Sequence, residues 1–180
     1  MASSSFYDMA IGTVRIQLEM LSTIIAKAEA SPMAASIPQA RIHEDMLPFT
    51  FQVDCATHTI HRCLALTSGQ FPMADDEWPF DSTTYEQIKA RIAKAEEQLA
   101  IVDKDKVNAR ENEVCEWSLA RGTTHLKATA LEFVRDYVIP NTYFHVVTAY
   151  DIARKQGVEL SKRDYIVPGL GKHVISRTEG

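Results

Sequence analysis

The sequence predicts a single all-α domain, a four-helix bundle with a kinked last helix and a short hairpin before it. Three observations carry this reading: apolar residues stepping by three and four in four segments, start and stop signals at the ends of those segments, and a composition that supplies one core. The 180 residues are 46% apolar, enough for one sizeable core, so the chain reads as one domain over 1–180 with an irregular tail over 158–180.

The first helix spans Phe6 to Glu29, with Val14, Leu18, Leu21 and Ile25 on its stripe and Ile11, Ile24 and Ala28 widening it. Ser31-Pro32 ends it, because proline disfavours helical geometry in the residue before it. Pro48 suits the first turn of the second helix, which runs to about Thr67, carries Phe49, Val53, Ala56, Ile60 and Leu64 on one face, and stops at Ser68-Gly69. A loop with Pro, Asp and Trp follows from Phe71 to Asp81. Thr83 and Glu86 have capping-box spacing and start the third helix. Tyr85, Ile88, Ile92, Ala95, Leu99 and Val102 form its apolar stripe, and Lys89, Arg91, Lys94, Glu96 and Glu97 its solvated side.

Between Glu113 and Lys127 the pattern changes to a hairpin turning at Arg121-Gly122. Thr129 and Glu132 are a second capping box and open the fourth helix, which continues through Phe133, Tyr137, Phe144, Val147 and Ile152 to Gly157. Pro140 lies inside it, cannot donate a backbone hydrogen bond and crowds the preceding turn, so a kink is expected near Asp136 to Asn141. The tail contains Pro168, Gly169 and Gly171 and shows no helical period.

The charge balance disfavours several classes of partner. Nineteen Lys and Arg against 24 Asp and Glu leave a net charge of -5, which offers no attraction to nucleic acid or anionic lipid. Cys55, Cys63 and Cys115 are odd in number and lack C-x-x-C spacing, so they read as reduced, buried thiols. No signal-peptide pattern is present at the N-terminus, and no uninterrupted run of the roughly 18 to 20 apolar residues of a membrane span occurs. The expectation is a cytoplasmic protein without membrane or nucleic-acid partners. Gly-rich phosphate loops, a dinucleotide fingerprint and a serine nucleophile elbow are all missing.

Two polar stripes can carry chemistry. On the fourth helix, Tyr137, Asn141, His145, Thr148 and Ile152 share one face near the kink. An imidazole, a carboxamide and a phenol there can line a small-molecule pocket, with His145 as general acid or base and Tyr137, Tyr143 and Asn141 binding a substrate oxygen. The alternative is an internal hydrogen-bond network that fixes the kink. On the second helix, Asp54, His58 and His61 are spaced by four and three, a spacing at which imidazoles can share a metal and a carboxylate can orient one of them. That stripe lies almost opposite the apolar face, which favours a solvated face. Trp78, Pro79 and Phe80 form an aromatic loop that packs in the core or covers a pocket mouth. Asp45, beside His43 and Glu44, reads as a cap of the second helix or a partner of Arg41.

The run from Pro140 to Tyr150, followed by Arg154, Gly157-Val158 and Leu160 to Asp164, together with Arg41, Asp45-Met46-Leu47-Pro48 and Gln52-Val53, resembles domain-of-unknown-function family nineteen ninety-three. That family belongs to the DinB/YfiT-like superfamily, whose members are read as metalloenzymes. The resemblance implies a DinB-like bundle and a homodimer but assigns no activity. Wider relatives bind a divalent metal through one histidine of the second helix and two on the last. The corresponding positions are His58 or His61, His145, and Asn141 where a histidine is replaced, so the implied metal set is His58, Asn141 and His145, holding zinc or nickel.

Three functional readings follow: a small-molecule pocket for acid-base chemistry of lyase, isomerase or cyclase type, a metal-dependent transferase or hydrolase of DinB-like type, and a non-catalytic homodimer. His58 and His145 are expected to line one solvent-reachable pocket with Asn141, without bound zinc.

Overall fold

Ser5 opens α1 (Phe6–Glu29): its hydroxyl accepts the Asp8 N–H, and the Asp8 carboxylate accepts the Ser5 N–H. The computed structural model describes residues 4–73, 75–119, 122–170 and 173. The protein is mainly helical with one two-stranded antiparallel sheet. The expected stripe of α1 is buried from Ile11 to Ala28. By length and composition α1 could cross a membrane, but its apolar face is spent on packing against other helices of the domain.

α2 (Phe49–Ser68) starts one residue later than expected, because Pro48 is extended at φ -71 and ψ 174 and precedes the helix. Gly69 ends it at φ 66, a left-handed conformation that favours glycine. Phe49, Val53, Ala56, Ile60 and Leu64 are fully buried, as the pattern requires. The opposite face is buried too: Asp54 is 0% exposed, His58 4% and His61 1%, so the solvated reading of that stripe is corrected. α2 packs against α1, α3 (Tyr85–Ile101) and α6 (Ile139–Lys155) and therefore has no free side. Asp54, His58 and His61 each meet a polar partner instead. Asp54 accepts the Ser82 N–H at 3.0 Å and lies 3.0 Å from Arg91 Nε, and His61 Nδ1 is 3.0 Å from Gln98 Oε1.

α3 is capped one residue later than its sequence suggests. Thr84 and Gln87 form the capping box, and the Gln87 amide oxygen accepts the backbone N–H of both Thr83 and Thr84. Arg91, expected on the solvated side, is buried against Asp54, and Trp78 is fully buried and stacked on His61 at 4.9 Å. A short α4 (Lys104–Ala109), capped by Asp103, was not foreseen.

The hairpin is present as β1 (Val114–Leu119) and β2 (Thr124–Thr129), with Val114 opposite Thr129 and Leu119 opposite Thr124. Gly122 has φ 85, and Arg121 of the expected turn lies outside the described residues. Trp117 packs on Phe133 at 4.7 Å, which lays the hairpin against the start of the last long helix.

That helix consists of α5 (Ala130–Phe133), a π-helical turn over Val134–Val138, and α6. The Thr129–Glu132 capping box opens it as expected. The irregularity expected near Pro140 takes the form of a widened turn, in which the Ile139 N–H reaches back five residues to the Val134 carbonyl. One extra residue in the turn relieves the crowding that a proline ring imposes on the preceding carbonyls.

The tail is not irregular throughout: α7 (Lys162–Leu170) packs on α1. Ser161 donates its N–H to Asp164 at 2.7 Å, and Asp164 pairs with Lys27 at 2.7 Å. Gly169 permits the close approach, since a Cβ there would lie 2.9 Å from Ile16 Cγ2. Tail residues 171, 172 and 174–180 lie outside the described residues.

Candidate functional site

α2 and α6 face each other over a cavity of about 550 Å³. From α2 come Cys55, His58, Thr59 and Arg62, and from the last helix Tyr137, Asn141 and His145, which recur every four residues and so share a face. Asp75 and Phe80 of the loop before α3, and Leu119 with Gly122 of the hairpin, close the remaining sides.

His145 is held in one tautomer. Gln52 donates its Nε2–H to the Leu47 carbonyl at 2.9 Å, which turns its amide oxygen toward His145 Nδ1 at 2.8 Å. An amide oxygen only accepts, so Nδ1 carries the proton and Nε2 keeps its lone pair. Burial lowers the ring's pKa to about 4, leaving it neutral at pH 7.

His58 has the opposite arrangement. Its Nε2 faces Asp75 Oδ1 at 3.0 Å and donates to it, so the lone pair is on Nδ1. Burial, reinforced by the nearby Arg62 charge, lowers this ring to about 4 despite the Asp75 carboxylate. Arg62 is 6% exposed; its Nε and Nη2 donate to Asp75 and its Nη1 donates to the Ser118 carbonyl at 2.8 Å. The Arg62 hydrogen bond holds the Asp75 carboxyl below its usual range.

Asn141 donates to Thr59 Oγ1 at 2.8 Å, and Thr59 donates in turn to the Cys55 carbonyl. Burial raises the Tyr137 phenol and takes the Cys55 thiol up to about 12, so both stay protonated at neutral pH.

The structure thus brings His58, His145, Tyr137 and Asn141 to one cavity. Tyr143, Thr148, Asp54 and His61 are outside its lining. Thr148 is occupied by the Phe144 carbonyl at 2.7 Å, Asp54 by Ser82 and Arg91, and His61 by Gln98 and Trp78. Sequence reasoning missed Arg62, Asp75 and the positioning role of Gln52. Arg62 stands four residues after His58, a spacing that could have drawn it into the same stripe, whereas Asp75 sits in a loop whose reach no periodicity discloses.

A divalent metal fits this set poorly. Two imidazoles and a carboxamide are the only donors at the implied positions, and the nearby carboxylate is already engaged by a guanidinium and by His58. Among the described residues no group of three or more His, Cys, Asp and Glu is placed to hold a metal ion. A dication here would also sit beside the buried charge of Arg62.

Packed helices with histidines of the second and last long helices turned to a common cavity place the chain among DinB-like proteins. A solved DinB family member protein from Shewanella denitrificans is similar at 29% identity, with 89% of this chain and 90% of that chain covered and a TM-score of 0.72. The chain belongs to the family described as Domain of unknown function (DUF1993), which matches residues 6–166. No curated protein matches it.

Proposed function

We propose that the cavity binds a small organic molecule and that His145 Nε2 takes a proton from it. The observation that carries this reading is the Leu47–Gln52–His145 chain, which fixes the proton on Nδ1 and keeps Nε2 as an acceptor in a ring that lines the cavity. The chemistry that suits these groups is abstraction of a proton from carbon next to a carbonyl. The C–H proton passes to Nε2, the bonding pair moves onto the carbonyl oxygen, and the Tyr137 hydroxyl stabilises the negative charge there. The new imidazolium is held by the Gln52 oxygen, and returning its proton to another carbon completes an isomerisation. A ring with so low a pKa is always unprotonated at pH 7, and the charge developing on the substrate raises its basicity when the proton moves. The packing of α1, α2, α3 and the last long helix supports reading the core as a four-helix bundle of the DinB-like type.

The test is deuterium exchange. Small ketones and keto acids incubated in D2O with the protein should lose the NMR signal of the proton next to the carbonyl, and H145Q should not promote this while keeping its helical circular dichroism. Absence of exchange across such a panel in the wild-type protein, or equal exchange in H145Q, removes His145 as the base.

A further inference from the structure

We infer that the cavity takes an organic carboxylate, its head held by Arg62 and its apolar body leaving past Phe80 toward the neighbouring Phe144. The inference rests on reading the cavity as a ligand pocket and names the class of ligand. A guanidinium has five N–H groups, and the bonds to Asp75 and Ser118 use three, one on Nε and one on each terminal nitrogen. Each terminal nitrogen therefore keeps one N–H outside these bonds, and with the Tyr137 oxygen beside the guanidinium the charged acceptor that suits the remaining donor capacity is a carboxylate. The Tyr137 hydroxyl lies against this guanidinium and against Thr59.

The alternatives fare worse. An ammonium head would have to give up water next to the Arg62 charge, and the one carboxylate among the described lining residues, Asp75, already accepts from Arg62 and His58. A neutral head would leave the remaining N–H groups of a buried guanidinium without a charged acceptor.

The body of the ligand is indicated by two phenylalanines. Phe80 is 47% exposed and Phe144 58%, although large apolar side chains are usually buried. Each sets its ring edge-on to a cavity histidine, Phe80 to His58 at 4.8 Å and Phe144 to His145 at 5.3 Å. Phe51 backs Phe80 at 5.7 Å. An apolar group emerging past both histidines would cover these faces, and about 550 Å³ lies within the roughly 300–1,000 Å³ usual for small-molecule sites.

Three probes with one body and different heads test this: phenylacetate, phenethyl alcohol and phenethylamine, each titrated calorimetrically into the full chain at pH 7. Phenylacetate should bind at least about tenfold more tightly than the other two, the difference expected from charge-assisted hydrogen bonding. R62M should abolish that preference, D75N should tighten phenylacetate by removing the carboxylate that neutralises Arg62, and F80A should weaken all three alike. Because R62M removes bonds to both Asp75 and Ser118 and can unfold the chain, D75N decides if circular dichroism shows that it does. Alcohol or amine binding as tightly as the acid, or D75N failing to tighten it, overturns the carboxylate assignment and leaves the pocket standing. No binding of any probe at millimolar concentration overturns the assignment and the pocket together.

Discussion

Gln52 Oε1 stands 2.8 Å from His145 Nδ1, joining the first turns of α2 to the middle of α6. The contact decides which nitrogen of His145 keeps its lone pair. Gln52→Leu removes the acceptor from a partly buried N–H and should cost about 1–3 kcal/mol in urea unfolding. Gln52→Glu puts a carboxylate in its place and should raise the His145 pKa from about 4 by roughly 1–3 units, read by NMR titration of the ring protons. An unchanged titration would show that the two side chains do not meet.

Stability should fall on mild acidification. Both cavity histidines drop from 6.5 in the unfolded chain to about 4 in the folded one. The unfolded state then binds more protons between these values, so stability is full above pH 6.5 and is lost as pH falls from 6.5 toward 4. Each ring contributes up to about 3 kcal/mol to the loss. Urea midpoints at pH 7.5, 6.0 and 4.5 should decline in the wild-type protein and decline less steeply in H145Q.

The pair formed by Asp54 and Arg91 is a structural element outside the cavity. Arg91→Met leaves the fully buried Asp54 carboxylate without its cation and should destabilise by about 3–5 kcal/mol. Adding Asp54→Leu removes the stranded charge, so the double variant should recover much of the loss. Strict additivity in a double-mutant cycle would contradict the coupling.

The register of the α3 cap is open to a direct test. Thr84→Ala removes the side chain that accepts the Gln87 N–H and should cost about 1 kcal/mol, whereas Thr83→Ala should cost less. Differential scanning calorimetry of the two variants separates the observed cap from the neighbouring one.

Signals confined to a few neighbouring residues carried through to the structure. The span of α1, the stop at Gly69, the hairpin, the Thr129–Glu132 box and an irregularity next to Pro140 are each decided by backbone valences and side chains within a turn or two, so they are readable before anything packs. For the site, the helical period alone grouped Tyr137, Asn141 and His145 on one face.

What packs upon a face is not local, and there the tertiary structure decided. The stripe of Asp54, His58 and His61 looks solvated because it opposes an apolar face, yet helices on both sides of α2 bury it, and each of the three meets a partner distant in the chain. α7 is weakly patterned and contains Pro168, and it is held by contacts with α1. Arg62 meets Asp75 thirteen residues away, across the loop that follows α2. The tautomers of His58 and His145 depend on such meetings, because the hydrogen bond made by one ring nitrogen determines what the other can do. The sequence alone determined which residues could be catalytic by type and face; only the packing of α2 against the last helix and the loop determined which nitrogens, charges and donors share the cavity.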